Sequence, residues 1–297
     1  MASVLSIGIS TLDYVFQVDA MPVRAEKYRS RQMATVGGGI AANASVAVAR
    51  QGGRSHLITR LGDDAVGRSI LDELEAEGVD VSLSRRFSDH RSPLSCILVD
   101  REGERMIISY SDPDLPETTG WLPEELPAGI NAVLGDTRWE AGSHHMFSLA
   151  RDAGALSVLD ADRKPLDDSL LAACTHAALS AQACLEITGE RDAAKGLAAL
   201  RQRYDNWLAV TDGARGVFWT DGEAIRHTPA FEVDVVDTLG AGDVWHGAFA
   251  LGLAEGMGEA RAVGYASAVA ALKCTRFGGR SGIPDRAEVE TFLKDKA

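Results

Sequence analysis

The chain has 297 residues, of which 45% are hydrophobic and 25% are charged. It carries 30 basic and 43 acidic side chains and a net charge of −13. This balance argues against non-specific binding to nucleic acids or to an anionic membrane, because both need a basic face. A small anionic ligand stays compatible with it, since a few local cations can dominate one pocket.

Cysteine usage and hydropathy favour a cytoplasmic protein. Cys96, Cys174, Cys184 and Cys274 form no C-x-x-C pair and have no histidines at zinc-ligand spacing, so we expect buried, reduced thiols. The N-terminus lacks a basic segment followed by a long apolar run, and no apolar stretch is long enough to cross a bilayer. A signal peptide and a membrane span are therefore not expected.

The N-terminal part of the chain mixes buried and half-exposed strands. Four of its segments alternate apolar and polar residues, as strands with one solvated face do. In chain order the pattern predicts a buried strand over 3–9, half-exposed strands over 14–19 and 29–36, an Ala-rich helix over 40–51, a strand over 55–60, an amphipathic helix over 66–77, and half-exposed strands over 93–99 and 104–110.

From residue 131 onward strands alternate with helices, which is typical of a parallel sheet with helices on both faces. We therefore expect one doubly wound α/β domain over 1–297, with a small β-sheet lid formed by about 12–36 and 91–112. The predicted elements are strands over 131–135, 156–160, 176–180 and 207–211, helices near 142–153, 167–173, 182–188 and 191–204, a β section over 217–236, and helices over about 242–256, 260–272 and 286–296.

Two glycine-rich segments stand at predicted helix starts. The stronger is Asp-Thr-Leu-Gly-Ala-Gly-Asp over 237–243, where consecutive N–H groups can point one way and the helix adds its positive end. A carboxylate in such an anion site, at Asp243, would repel phosphate but suits a general base that deprotonates an attacking hydroxyl. The alternative is that Asp243 only caps the helix. His246, one turn along, is expected to be a packing residue.

The second segment is Gly-Gly-Gly-Ile-Ala-Ala-Asn over 37–43. It exposes backbone N–H groups without a basic neighbour, which favours neutral, hydroxyl-rich groups over phosphate. The alternative is a flexible hinge with a buried Asn cap. Neither segment is a dinucleotide fingerprint or a Walker A loop, because Gly-x-Gly-x-x-Gly does not follow the first strand and no Gly-Lys-Ser/Thr ends the loop.

The chain resembles the ribokinase-like (PfkB) carbohydrate kinases along nearly its whole length. Residues 237–243 match that family's Asp-Thr-x-Gly-Ala-Gly-Asp signature, 37–43 resemble its N-terminal glycine motif, and 60–67 and 210–216 match further segments. The resemblance implies a mostly parallel sheet with a β lid, ATP and Mg²⁺, and phosphorylation of a sugar hydroxyl. It also leaves room for a monovalent cation such as K⁺ beside residues 272–279.

The resemblance also implies roles for individual residues of this chain. The implied sets are Asp243 as base with Gly240, Ala241 and Gly242 as anion hole, then Asp13, Gly38, Gly39 and Asn43 on the sugar hydroxyls, and Thr211, Gly213, Gly216, Lys273 and Gly279 around the nucleotide.

One family segment is changed. Many members carry Asn-x-x-Glu, which supports the metal and phosphate network, where this chain has Ser180, Ala181, Gln182 and Ala183. The metal ligands are therefore unknown from the sequence, with water or Glu186 as substitutes.

A narrower resemblance, to the 6-deoxy-6-sulfofructose kinases of sulfoquinovose breakdown, concerns the substrate. It implies that Arg138 and Lys27 hold the sulfonate, with Ser109 in a position where a relative has Asn. The matching segments are 26–28, 36–39, 111–115, 138–139, 233–238, 271–276 and 278–284.

The physical chemistry of Arg138 agrees with an anion site. A sulfonate is always charged, a guanidinium can donate paired N–H groups to it, and Arg138 follows a predicted parallel strand at the end where α/β proteins bind ligands. The alternatives are a surface arginine paired with Asp136 or Glu140, and a solvated charge at Lys27.

We therefore expect an ATP-dependent kinase acting on the 1-hydroxyl of sulfofructose. The alternatives are a kinase of another ketose or sugar acid (fructose, a phosphorylated ketose, 2-keto-3-deoxygluconate) and a non-catalytic sugar- or nucleotide-binding regulator. A small lid has an edge and an apolar face to cover, so we also expect a homodimer paired through the lids.

Overall fold

The computed structural model describes residues 1–102 and 104–296. Its elements follow in this order: β1 (Ser3–Ile7), β2 (Thr11–Gln17), β3 (Gln32–Gly38), α1 (Ile40–Arg50), β4 (Arg54–Ile58), β5 (Arg60–Gly62), α2 (Ala65–Ala76), β6 (Val79–Asp80), β7 (Arg85–Phe87), β8 (Leu94–Val99), β9 (Arg105–Tyr110), β10 (Ala132–Asp136), α3 (Glu140–Asp152), β11 (Leu156–Ala161), α4 (Ser169–Ala173), β12 (His176–Ser180), α5 (Ala181–Thr188), α6 (Ala193–Arg201), β13 (Trp207–Thr211), β14 (Val217–Asp221), β15 (Ala224–Thr228), α7 (Ala241–Ala254), α8 (Glu259–Cys274) and α9 (Arg286–Lys296).

The central sheet has nine strands in the order β15-β14-β13-β12-β11-β10-β1-β4-β6. Seven adjacent strands of this sheet run parallel, namely β6, β4, β1, β10, β11, β12 and β13. At the other edge, β14 pairs antiparallel with β13 and β15 antiparallel with β14. Side chains of one strand alternate between faces: Val4 packs into one hydrophobic core and Leu5 into the other. Helices α1, α7 and α8 cover the first face and α3, α4 and α6 the second, so the predicted doubly wound fold is confirmed.

A second sheet of four strands, in the order β3-β2-β8-β9, forms the lid. Its strands come from the two predicted segments, 12–36 and 91–112, with small differences at the ends. The pairing of β2 with β8 is parallel and the other two pairings are antiparallel. The lid is therefore a sheet of its own, connected through Gly39 to the start of α1.

Some boundaries differ from the prediction. The β section expected over 217–236 ends at Thr228, because residues 229–236 continue as irregular chain along a groove described below. The segment 55–60 divides into β4 and β5, and β5 pairs with β7 in a two-stranded sheet that no periodicity indicates. Among the described helices none is both long and apolar enough to span a bilayer.

Candidate active site

The N-terminus of α7 carries the strongest motif of the sequence. Gly240 precedes this helix with φ of 74°, a left-handed conformation that favours glycine. The first N–H groups of a helix lack intrahelical acceptors and lie at its positive end. Gly240, Ala241 and Gly242 thus have the geometry of a main-chain anion site.

Asp243 lies in the first turn of α7. Its Oδ2 accepts a hydrogen bond of 2.7 Å from Nδ2 of Asn43. Burial and the charge of Asp160 raise the pKa of Asp243, the Asn43 bond and His246 lower it, and the result is a pKa of about 6. Such a carboxylate is mostly ionised at neutral pH and is a stronger base than an ordinary aspartate, which suits proton transfer from a hydroxyl.

Two cavities meet at this helix end. Gly240 and Asp243 line the first, a polar cavity, whereas Ala241 and Gly242 line the second, an apolar groove. An anion bound to the main chain of 240–242 would therefore lie where a ligand in one cavity can react with a ligand in the other. This arrangement suits the transfer of a group between two bound molecules.

The polar cavity has a volume of about 460 Å³ and lies between the lid and the carboxyl ends of β10 and β11. Its polar lining combines hydroxyls, carboxylates, an amide and guanidinium groups, which is the chemistry needed for a hydroxyl-rich, charged ligand. These residues are Thr11, Asp13, Asn43, Ser95, Ser109, Ser111, Arg138, Asp162, Asp243 and Arg280.

A row of polar residues crosses the inner face of the lid. Asp13 pairs in register with Ser95, and Ser95 with Ser109, so the three lie side by side above the cavity. Burial raises the pKa of Asp13, and hydrogen bonds from Thr11 and Ser95 oppose that shift. The predicted substrate ligands Asp13 and Ser109 thus lie in one row, with Ser95 between them.

Gly38 and Gly39 support the cavity in different ways. Gly39 lines it with φ of 94°, and a Cβ there would lie 2.5 Å from the carbonyl oxygen of Ile9. Gly38 is not among the lining residues: its carbonyl accepts from Arg280 at 2.9 Å, and a Cβ would lie 2.2 Å from Oδ2 of Asp13. Gly38 therefore makes room for Asp13, whereas Gly39 borders the cavity itself.

Arg138 reaches the polar cavity from the loop after β10. Its guanidinium forms an ion pair with Asp162, not with Asp136 or Glu140 as the alternative prediction supposed. Asp136 instead accepts from the Arg138 backbone N–H at 2.9 Å, and burial raises its pKa to about 7. Arg138 keeps donors for a ligand, since a guanidinium carries five N–H groups.

Lys27 lies outside the polar cavity. It belongs to the loop between β2 and β3 and is exposed to solvent, and it is not among the cavity-lining residues. Within one chain, therefore, the structure brings together Arg138 and Ser109 but not Lys27.

The apolar groove, of about 560 Å³, runs from α7 along the end of β13. Thr211, Gly213 and Gly216, which the family resemblance assigned to the nucleotide, line this groove. Its wall is mainly apolar, which suits a flat heterocycle, and consists of Val217, Phe231, Val233, Val235, Trp245, Ala270 and Ala271.

Lys273 and Gly279, also predicted beside the nucleotide, lie elsewhere. Gly279 lines the polar cavity, and its N–H donates to Oδ2 of Asp237 at 3.0 Å. Lys273 is fully buried, with Nζ 2.8 Å from the carbonyl oxygen of Asp237 and 3.6 Å from its Oδ2. An ammonium group therefore lies in the segment where the family resemblance implied a monovalent cation, so these residues do not fit an added K⁺.

A buried ion pair lies behind the anion site. Nδ1 of His246 is 2.9 Å from Oδ2 of Asp160 and 2.8 Å from the carbonyl oxygen of Gly242, and Nε2 is 3.1 Å from the carbonyl of Ala178. Burial lowers the pKa of His246, but Asp160 and these carbonyls outweigh it and raise the pKa to about 9. His246 is thus a buried cation, whereas the sequence led us to expect only a packing residue at this position.

No preformed metal cluster of three acidic, His or Cys side chains occurs among the described residues. Ser180 caps α5, accepting from the Ala183 N–H at 3.0 Å. Glu186 accepts from the N–H of Lys164 at 3.0 Å and lines neither cavity. The changed segment therefore offers Mg²⁺ no carboxylate cage, and water together with phosphate oxygens would supply most of its ligands.

The chain was compared with known proteins. The family model for pfkB family carbohydrate kinases matches residues 1–286. A ribokinase of Bacillus subtilis (strain 168) is 27% identical over 296 residues, covering 99% of this chain and 100% of that protein. A fructokinase of Klebsiella pneumoniae is 31% identical over 285 residues, covering 86% and 91%. A crystal structure from Agrobacterium tumefaciens, described provisionally as a ribokinase, superposes with a TM-score of 0.94 at 36% identity, covering 99% and 98%.

The family model and these relatives, together with the fold, define a sugar kinase, a phosphotransferase with an alcohol acceptor. The chain belongs to the pfkB family of carbohydrate kinases. That assignment favours catalysis over the alternative of a regulator that only binds sugar or nucleotide.

Proposed function

We propose that this sugar kinase phosphorylates the 1-hydroxyl of 6-deoxy-6-sulfofructose, working as one domain over the whole chain. The observation that supports this choice of substrate is the position of Arg138, whose guanidinium lines the same polar cavity as Asp243. Ser109 lines that cavity too. A sulfonate on these donors would leave the other end of the sugar free to approach the base.

The proposed reaction uses Asp243 as general base. Its carboxylate takes the proton of the 1-hydroxyl while that oxygen forms a bond to the γ-phosphorus of ATP and the bond to the ADP oxygen breaks. The N–H groups of Gly240, Ala241 and Gly242 stabilise the charge that develops on the phosphoryl oxygens. Bound Mg²⁺ supplies further charge neutralisation on those oxygens. We also propose that the Lys273 ammonium replaces a monovalent cation.

The substrate proposal is tested by replacing Arg138 with alanine. Losing charge-assisted hydrogen bonds costs about 1.5–3 kcal/mol, or roughly 10- to 100-fold in kcat/KM. We expect that loss with sulfofructose and a much smaller one with fructose, measured as ADP release over a sugar panel. Arg86→Ala is a matched control, because Arg86 is a similarly exposed, ion-paired arginine that lies outside the cavity. Equal losses on both sugars would overturn the sulfonate role.

A second candidate is a kinase of fructose or another ketose. It is favoured by the 31% identity to a fructokinase. It is also favoured by the ion pair of Arg138 with Asp162, which already occupies some of the N–H donors of the guanidinium. In the same assay this candidate requires that neutral fructose be used at least as well as sulfofructose.

We propose, finally, that two copies pair through the outer faces of their lids. On that face the register aligns Met33, Phe16, Leu98 and Met106 in one row across the four strands. Met33 and Met106 are exposed in the single chain, as is Ile108 in the neighbouring row. Apolar rows of this kind are stabilised when a second copy covers them.

A further inference from the structure

Arg280 is a buried cation on the wall of the polar cavity. It lies in the short turn Gly279–Gly282 after α8 and is 2% exposed. Its Nη2 donates to the carbonyl of Gly38 at 2.9 Å, and its Nη1 lies 3.3 Å from Oε1 of Glu73. A Cβ on Gly37 would lie 2.0 Å from Nη1, so a glycine at that position is what admits the guanidinium.

A further donor of Arg280, the Nε–H group, is directed at Asn43. Nε of Arg280 lies 3.0 Å from Oδ1 of Asn43. A guanidinium can only donate hydrogen bonds, so the amide oxygen of Asn43 must face it. The amide nitrogen then faces the opposite way, toward Oδ2 of Asp243 at 2.7 Å. Both neighbours require the same orientation of the Asn43 amide.

This orientation has a consequence for the carboxylate of Asp243. Oδ2 is occupied by the Asn43 N–H, so Oδ1 is the oxygen that remains for a proton. We propose that Arg280 is a positioning residue that, through Asn43, presents Oδ1 of Asp243 to the sugar hydroxyl. The inference rests on the proposed role of Asp243 as general base.

The charges around Asp243 determine what loss of Arg280 does to its titration. Asp160, within the end of β11, and Asp162, just after that strand, disfavour the charged carboxylate, and His246 from α7 favours it. Arg280 attracts Asp243 from the C-terminal turn. Removing Arg280 takes away a nearby cation and frees the Asn43 amide to turn, and both effects raise the pKa of Asp243.

The experiment compares Arg280→Met with Arg50→Met. Arg50 donates to the carbonyls of Arg280 and Ile283, at 3.2 and 2.8 Å, and so holds the same turn without a bond to Asn43. For Arg280→Met we expect kcat to fall by about 10-fold or more, and the acid limb of kcat against pH to move up by about one unit. For Arg50→Met we expect a lower melting temperature and an unmoved acid limb.

A second variant keeps the test sharp if Arg280→Met folds poorly. Asn43→Asp retains an acceptor for Arg280 but cannot donate to Asp243, and two facing carboxylates move the acid limb upward as well. The inference is overturned if Arg280→Met and Asn43→Asp leave the acid limb where it is, or if Arg50→Met moves it equally. Failure of the underlying function is distinguishable, because then Asp243→Asn itself would retain turnover.

Discussion

At the scale of single residues, Asp243 is a negative charge placed inside an anion site. Its repulsion of phosphate is limited by two cations, His246 behind the helix end and Arg280 beside Asn43. The same charges keep the carboxylate ionised near neutral pH although burial raises its pKa to about 6. In the proposed reaction the site therefore combines a base with a phosphate site, although no lysine among the described residues lines either cavity.

The base is tested by Asp243→Asn. The amide has the same shape and can still bond to Asn43, but it cannot accept the proton. We expect a folded protein whose kcat is lower by at least about 10²-fold, with unchanged binding of ATP by calorimetry. Turnover close to that of the wild type would remove Asp243 as base.

The His246–Asp160 pair makes a prediction about stability. Because the folded-state pKa of His246 is about 9, above its ordinary value of 6.5, its protonation stabilises the fold fully below pH 6.5, and this contribution is lost as the pH rises through 9. We expect the free energy of unfolding in urea to decline over that window.

In His246→Gln, which keeps a hydrogen-bonding side chain without the charge, the decline should be shallower. If variant and wild type show the same slope of unfolding free energy against pH, His246 is neutral in the fold.

At the scale of elements, the C-terminal end of α8 contacts the segment before α7 through the buried side chain of Lys273. Since the Lys273 ammonium already lies beside Asp237, we expect initial rates to be equal in K⁺ and Na⁺ buffers of the same ionic strength. Lys273→Met should lose activity and melt at a lower temperature. A several-fold rate increase of the wild type by K⁺ would contradict this expectation.

How far the sequence predicts these elements depends on periodicity. The parallel strands and the long helices follow from it within a few residues, because buried strands and amphipathic helices repeat over several turns. Residues 229–236 alternate like a strand, yet their apolar side chains Phe231, Val233 and Val235 face the apolar groove instead of a sheet. Strands β5 and β7, of three residues each, are too short to show a period.

The residues of the site can be predicted from the sequence where they lie close together in the chain. Asp243 and the glycines beside it lie in one continuous motif. Arg280 has no such signal, because an arginine in a Gly-rich turn is typical of a surface. Its burial depends on Gly37, which is more than 200 residues away in the chain, and on Glu73 from α2. Lys27 shows the converse, since a shared sequence segment does not place it at the cavity of its own chain.

At the scale of the whole molecule, the exposed apolar rows of the lid predict a dimer. We expect light scattering to give twice the mass of 31.6 kDa. Ile108, 62% exposed on the outer face, is replaced by lysine to weaken the pairing, because buried unpaired charge is costly.

Ile225→Lys is the control for the dimer, since Ile225 is an exposed residue of β15 on the central sheet, away from the lid. A monomeric mass for the wild type, or equal dissociation by both variants, would count against pairing through the lids.

The net charge of −13 is compatible, at this scale, with the anionic ligands of the proposed reaction. Acidic groups lie both on the surface and in the polar cavity, where Asp13, Asp162 and Asp243 accompany Arg138 and Arg280. The global charge slows the approach of an anion from bulk solvent, and the local cations determine whether it binds.

The main-chain construction of the anion site has a consequence for how mutations accumulate in this protein. Most amino-acid replacements leave N–H groups in place, so drift in the side chains around 240–242 should seldom abolish phosphate binding. Phosphate binding is sensitive instead to changes of backbone conformation. Such changes are a replacement of Gly240, whose φ of 74° is unfavourable for other residues, and a one-residue insertion that shifts the helix start. We expect saturation mutagenesis to find inactive alleles concentrated at Gly240 and in length changes, with Ala241 tolerant of small replacements.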